Sequence, residues 1–286
     1  MKNLKGITGL ICALFAMLVA YACTEKKTYS TPPGYDLNNP LKDNMPDVLN
    51  EVSGITFYKG NPDTLYAEQD EEGKVFHFKP GEKEVSHTRF AKGGDYEDIA
   101  ILGEQVVVLK SNGALFIFPF SQVRTHEATN VVEVKDLLPK GEYESMYADE
   151  KTGQLYILCK NCKDDKSKAT SGYIFKLAAN GVVTPAGQFS IATEAIAAQV
   201  DKKKFEFRPS ALAKNPKTDE WFIVASINKL LVVTDDTFKV KGIYPLNPSF
   251  FLQPEGIAFD NQGNLYISNE GDEITPGNVH KFTFKK

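Results

Sequence analysis

An all-β fold of five repeated units, a β-propeller, is predicted from three observations. A short pattern recurs five times: a polar or acidic residue, a small residue, apolar alternation, a turn, and a second strand. Its copies are evenly spaced for most of the chain. The stretches between them are β-branched and aromatic, broken by turn residues. The copies are Val52-Ser53-Gly54-Ile55-Thr56-Phe57, Tyr96-Glu97-Asp98-Ile99-Ala100-Ile101, Tyr143-Glu144-Ser145-Met146-Tyr147-Ala148, Pro209-Ser210-Ala211-Leu212-Ala213 and Pro254-Glu255-Gly256-Ile257-Ala258-Phe259. Their second residues, Ser53, Glu97, Glu144, Ser210 and Glu255, serve here as anchors; they lie 44, 47, 66 and 45 residues apart. A period near 45 with about four strands is that of a propeller blade.

Each anchor opens the innermost strand of its blade. Turn clusters follow: Asn61-Pro62-Asp63, Gly103-Glu104, Glu150-Lys151-Thr152-Gly153, Asn215-Pro216-Lys217-Thr218-Asp219 and Asp260-Asn261-Gln262-Gly263. Second strands are expected at 64–67, 105–109, 154–158, 221–225 and 264–268, and third strands at 75–78, 114–118, 173–177, 230–234 and 279–284. The last blade is one strand short. The segment 46–50 is expected to supply its outer strand and close the ring, since an open sheet edge invites aggregation. The long third interval holds about 20 extra residues. Two stretches are candidates: the polar loop 161–171, and 191–203, which has helical propensity through Ala, Glu and Gln.

The chain of 286 residues begins with an address. Lys2 and Lys5 form a positive start, and residues 7–22 are almost wholly apolar. That run is shorter than the ~20 residues a spanning helix needs, so residues 1–22 read as a signal peptide. Ala20-Tyr21-Ala22-Cys23 resembles a bacterial lipoprotein box, with Ala20 where Leu is usual. Cys23 is the expected lipidation site, and acyl chains would anchor the protein to a membrane. Thr24 after that Cys favours the outer membrane in an enteric-type export system. Residues 23–44, with Pro32-Pro33-Gly34 and Asn38-Asn39-Pro40, read as a flexible tether, and 45–286 as the propeller. The expected location is the bacterial cell envelope.

Composition excludes other classes. Hydrophobic residues make up 42% and charged residues 24%, enough to build a large core. The formal charge is −4, against the basic face that nucleic acid requires. Four Cys are too few for a disulfide scaffold. There is no G-x-S-x-G, phosphate-binding loop or G-x-G-x-x-G.

The anchors with their flanking residues, and Gly263-Asn264-Leu265-Tyr266-Ile267-Ser268-Asn269-Glu270, resemble the SdiA-regulated family of bacterial envelope proteins, distantly akin to NHL-repeat propellers. The resemblance spans nearly the whole mature chain. It implies a five-bladed propeller, a bound calcium ion and no established catalysis.

Residue chemistry points the same way. Five anchors should converge at one mouth of the channel, three of them acidic: Glu97, Glu144 and Glu255. Crowded carboxylates raise one another's pKa, and a hard cation removes that cost. Without His or Cys among the anchors, zinc and copper are disfavoured. Glu97, Glu144 and Glu255 are therefore the expected calcium ligands, with Asp98 turned away between blades. The alternative is that these glutamates bond only to backbone N–H groups or to a basic side chain such as Lys160. Cys159 and Cys162 form a C-x-x-C, expected as a local disulfide, with free thiols or redox activity left open. His77, His87, His126 and His280 are scattered. Lys202-Lys203-Lys204 reads as a solvated face and Asp70-Glu71-Glu72-Gly73 as a hairpin turn. Tyr96, Tyr143 and Phe250-Phe251-Leu252 are expected in the core, an aromatic rim being the alternative.

The functional expectation is a monomeric, non-catalytic binding or scaffold module, with a membrane as partner through its lipid and an envelope protein or small molecule as ligand. A calcium-dependent hydrolase of lactonase or phosphoesterase type is the alternative.

Overall fold

Strand-forming residues between tight turns give twenty strands in five antiparallel sheets of four among the described residues. The computed structural model describes residues 28–163, 165, 168–200 and 205–285. The signal peptide, Cys23 and Lys202-Lys203-Lys204 lie outside them. The first blade holds β2 (Val52–Phe57), β3 (Leu65–Gln69), β4 (Lys74–Phe78) and β5 (Ser86–Arg89). The second holds β6 (Tyr96–Leu102), β7 (Gln105–Lys110), β8 (Leu115–Pro119) and β9 (Val132–Val134). The third holds β10 (Gly141–Asp149), β11 (Gln154–Cys162), β12 (Ala169–Leu177) and β13 (Val183–Ala192). The fourth holds β14 (Ala211–Lys214), β15 (Trp221–Ala225), β16 (Leu230–Thr234) and β17 (Val240–Pro245). The fifth holds β18 (Pro254–Phe259), β19 (Leu265–Asn269) and β20 (Asn278–Phe282), completed by β1 (Leu41–Asn44). The fold is the expected five-bladed propeller.

The ring closes with a different segment from the one expected. β1 pairs with β20, Leu41 opposite Lys281 and Asn44 opposite Asn278. Residues 46–50 instead form a short 3-10 turn, Asp47–Leu49, which buries Leu49. Pro46 explains this: it has no N–H to give to a ladder. The packed body also starts before residue 45. Tyr35 and Leu37 are buried among Phe222, Val224 and Leu265 of the last two blades. The Tyr35 hydroxyl donates to the Gly263 carbonyl at 2.7 Å and accepts from Asn215 Nδ2 at 2.9 Å.

The extra length of the third blade goes into longer strands of nine and ten residues and one short helix, α1 (Thr193–Gln199). Packing lies between neighbouring blades, where aromatics act as wedges. Tyr147 of the third blade meets Trp221 of the fourth edge-on at 5.2 Å. Tyr96, Tyr143 and Phe251 are core residues, each at most 2% exposed, while Leu252 is exposed. Among the described residues no helix is long and apolar enough to cross a membrane.

Candidate functional site

The local device that builds the site is a β-bulge at the start of four of the five inner strands. In β6, Tyr96 pairs with Lys110 and Asp98 with Leu109, so Glu97 has no partner. Glu144 is skipped in the same way in β10, and Glu255 in β18. In β2, Ser53 and Gly54 together face one residue between Val52–Gln69 and Ile55–Ala67. Ser210 lies just before β14 and donates its N–H to Val224 O at 2.8 Å. A bulge twists the strand and re-aims a side chain. Here all five anchors line one cavity of about 380 Å³ at one mouth of the channel.

In the second and third blades the residue before the anchor is tied to the preceding blade. Tyr96 N–H donates to Asp70 O at 3.0 Å, and Tyr143 N–H to Ser111 O at 2.9 Å. Each of these tyrosines also donates its hydroxyl to the carbonyl four residues earlier, Lys92 and Pro139, both at 2.8 Å. The residue after the anchor packs tightly. A Cβ on Gly54 would come within 2.6 Å of Asp98 Oδ1. Asp98 turns between blades as expected, is buried, and accepts the N–H of Ile99 at 2.8 Å and of Met146 in the next blade at 2.6 Å.

The cavity is strongly acidic. Besides Glu97, Glu144 and Glu255 it is lined by Asp70, Asp95, Glu142 and Glu270, with Ser53, Ser111 and Ser210 as neutral donors and Lys160 as the single cation. Sequence reasoning missed four of these carboxylates. Asp70 and Glu270 follow directly on the second strands β3 and β19, as Ser111 follows β7, and Lys160 lies near the end of β11. The position closing each second strand was the available signal. Asp70 does open a turn, but its carboxyl lines the cavity.

Lys160 is the basic partner anticipated in the alternative, but it reaches Glu144 from the adjacent strand of the same blade and not across the channel. Its Nζ pairs with Glu144 Oε1 and lies 3.7 Å from Glu142 Oε1. Burial, then the Glu144, Glu68 and Asp95 charges, pushes Glu97 up to about 10, opposed by Lys160. Burial raises Glu144 to about 7 against the pull of Lys160. Burial and the Glu255, Asp70 and Glu51 charges take Glu270 to about 7. Two buried oxygens at this cavity, Glu144 Oε2 and Ser210 Oγ, have no hydrogen-bond partner in the structure, nor has Asp70 Oδ1. Such atoms are costly unless something satisfies them.

The donor set suits a hard cation, being all oxygen and rich in carboxylates. Its spacing is wide. Among the described residues, the one trio of His, Cys, Asp or Glu with ligand atoms all within 4.8 Å of one another is Cys159, Cys162 and Asp165. Glu97, Glu144 and Glu255 share a mouth without closing to one coordination sphere, so an ion there would have to draw them inward.

Cys159 and Cys162 are joined by a disulfide and are buried. The bridge brackets Lys160, the one cation of the mouth, and Asn161 at the end of β11. No histidine lines either end of the channel. His280 is buried against Phe251, and burial lowers its pKa to about 4.

The opposite mouth holds a second cavity of about 460 Å³. Every inner strand lines it with the residues two, three and four places after its anchor, from Ile55-Thr56-Phe57 to Ile257-Ala258-Phe259. The ring of Ile55, Ile99, Met146, Leu212 and Ile257 is buried between the two mouths.

No family model and no curated protein matches the sequence. Solved structures match by shape. A luciferin-regenerating enzyme superposes with a TM-score of 0.52 at 12% identity, covering 86% of this chain and 95% of its own. Regucalcin from Agrobacterium tumefaciens, described as a calcium-binding protein, gives 0.51 at 12% over 88% and 95%. Glutaminyl cyclase of Myxococcus xanthus gives 0.53 at 12% over 86% and 95%. At this identity the likeness establishes the propeller fold alone.

Proposed function

We propose that the chain is a lipid-anchored bacterial envelope propeller of the SdiA-regulated kind, whose acidic mouth binds a calcium ion, and that it works as a binding module without catalysis. One observation carries the reading. Four bulges and the residue just before β14 aim five anchors into one cavity where seven carboxylates face a single lysine, and Glu144 Oε2 and Ser210 Oγ are buried without partners. A divalent cation supplies the missing positive charge. Glu97, Glu144 and Glu255 would hold it, with the Ser53 and Ser210 hydroxyls and water completing an oxygen shell. Lys160, bracketed by the disulfide, pulls the Glu144 pKa down against burial in the absence of an ion and would compete with the ion for it.

A hydrolase is the second reading. One observation favours it: Glu144 at about 7 lies in the range of a useful general base, beside Glu97, which is protonated at neutral pH. The two readings part on the anchors. Elemental analysis of the purified protein is expected to give one calcium per chain, lost in Glu97→Gln/Glu144→Gln/Glu255→Gln. Calcium retained by that variant, or absent from the wild type after dialysis against calcium, overturns the site. Ester or lactone hydrolysis that is abolished by Glu144→Gln would replace the binding module with the enzyme.

A further inference from the structure

The mouth opposite the carboxylates has a different chemistry. Its fifteen inner-strand residues are apolar except for Thr56, Tyr147 and Lys214, and Lys214 alone is charged. At that level the other four strands carry Phe57, Ile101, Ala148 and Phe259. The side chain of Lys214 is 23% exposed. Its nearest carboxylate, Asp219 Oδ1, is 3.8 Å away and is shared with Lys151 at 3.7 Å. An ammonium carries three donors, and these are weakly engaged.

The rim carboxylates are occupied elsewhere. Asp260 accepts the N–H groups of Gln262 and Asn264, Asn264 Nδ2 and the Tyr266 hydroxyl. Asp149 accepts the Lys151 N–H, and Glu150 the Gly103 N–H. Lys59 and Lys151 also line the rim, Lys59 paired with Glu104, and Lys214 lies 5.6 Å over the Trp221 ring; an apolar funnel with the inner-strand Lys214 loosely held suits a ligand with a hydrocarbon body and one anionic end. Its volume of about 460 Å³ falls in the usual range for small-molecule sites.

The path of the chain indicates where such a ligand would come from. Tyr35 is hydrogen-bonded to Asn215 and Gly263, on the face that bears this mouth. β1 then runs from this face towards the acidic one. Tyr35 lies twelve positions after Cys23, a reach of at most ~40 Å when fully extended. On the proposed lipid anchoring, the apolar mouth therefore faces the bilayer and the acidic mouth faces away.

We propose that the apolar mouth binds a single-chain fatty acid from the membrane, its hydrocarbon against Ile55, Ile99, Met146 and Ile257 and its carboxylate at Lys214. The membrane source rests on the anchoring reading; the pocket does not. The test uses the full chain in detergent with a diazirine-bearing palmitic acid, and cross-linked peptides are mapped by mass spectrometry. Label is expected on the inner-strand peptides containing Met146 or Ile257, competed by decanoate and not by decanol at equal concentration. Lys214→Met should lower labelling about tenfold, Met146→Trp should abolish it by filling the funnel, and the exposed Lys135→Met should leave it unchanged.

Label confined to other surfaces, equal competition by decanol, or full labelling of Lys214→Met overturns the proposal. If Lys214→Met does not fold, the decanoate–decanol comparison on the wild type decides. Labelling that appears only after Cys23→Ser also overturns it, because the chain's own acyl group then fills the mouth. Cell fractionation reads the anchoring separately: a soluble chain that still labels keeps the pocket and removes the membrane source.

Discussion

Replacing Glu97 by Gln should remove a defined part of the protein's pH dependence. Glu97 has a pKa of about 10 in the folded protein against the ordinary 4.5. A carboxyl whose folded pKa is raised binds more protons in the folded state than in the unfolded one. Its contribution to stability is full below the unfolded pKa and is lost as pH rises towards the folded one. Glu144 and Glu270, both at about 7, act in the same direction but finish near neutrality. Between pH 7 and 9 Glu97 adds to the decline, together with Glu68 and Asp98, whose carboxyls burial also holds well above the ordinary range. Two pH units correspond to about 2.7 kcal/mol; water in the open cavity screens part of this, and about 2 kcal/mol is expected. Urea denaturation in EDTA at pH 5, 7 and 9 measures it. Wild type should weaken across both intervals, whereas Glu97→Gln should weaken from pH 5 to 7 and then fall less steeply than wild type, by about that amount. Calcium should flatten the wild-type decline by favouring the ionised carboxylates. A Glu97→Gln protein with the wild-type slope from pH 7 to 9 would refute the reasoning, because Glu97 would then ionise freely in the folded state.

Lys160→Met removes the one cation of the acidic mouth and should raise calcium affinity about tenfold, ~1.4 kcal/mol, read by calorimetry; unchanged affinity would mean that Lys160 and the ion do not compete for Glu144. Gly54→Ala drives a Cβ to within 2.6 Å of Asp98 Oδ1 and 2.7 Å of its Cα, so it should cost about 2 kcal/mol and lower the thermal midpoint by roughly 5 °C, and a wild-type midpoint would show that the first two blades can part there. Deleting residues 28–44 strips β1 from β20 and uncovers the Tyr35 socket, so the shortened protein should aggregate on size-exclusion chromatography. A monomeric shortened chain would show that the ring holds without its closing strand.

The blades were legible because each inner strand repeats one pattern, and a period near 45 leaves few other folds. The convergence of Glu97, Glu144 and Glu255 followed from that repeat. The bulges were hidden: skipping one partner leaves no mark on hydrophobic alternation, and only the small residues Gly54, Ser145, Ala211 and Gly256 after the anchors hint at the tight approach. Leu41-Lys42-Asp43-Asn44 was read as tether because an outermost strand has one covered edge and few buried side chains, so its residues are polar. Asp70, Asp95, Glu142 and Glu270 went unrecognised for a related reason. They join the anchors through the geometry of adjacent strand ends and blades, which linear spacing does not display.

The pairing of β1 with β20 also sets the order in which the molecule can be completed. The two strands are joined by well over two hundred residues of intervening chain, and the entropy of closing so long a loop is recovered only when the strands between them already stand in place. The first strand to leave the ribosome is thus the last to find its partner. Four blades can form from local hairpins, but the fifth must wait for the two ends of the sequence to meet. Until they do, β20 presents a bare edge and the pocket for Tyr35 is empty. Mostly non-local contact of this kind makes for slow folding and a long-lived exposed intermediate. Refolding should therefore show a late, slow phase in which the Tyr35 environment changes after most of the strand signal has already returned.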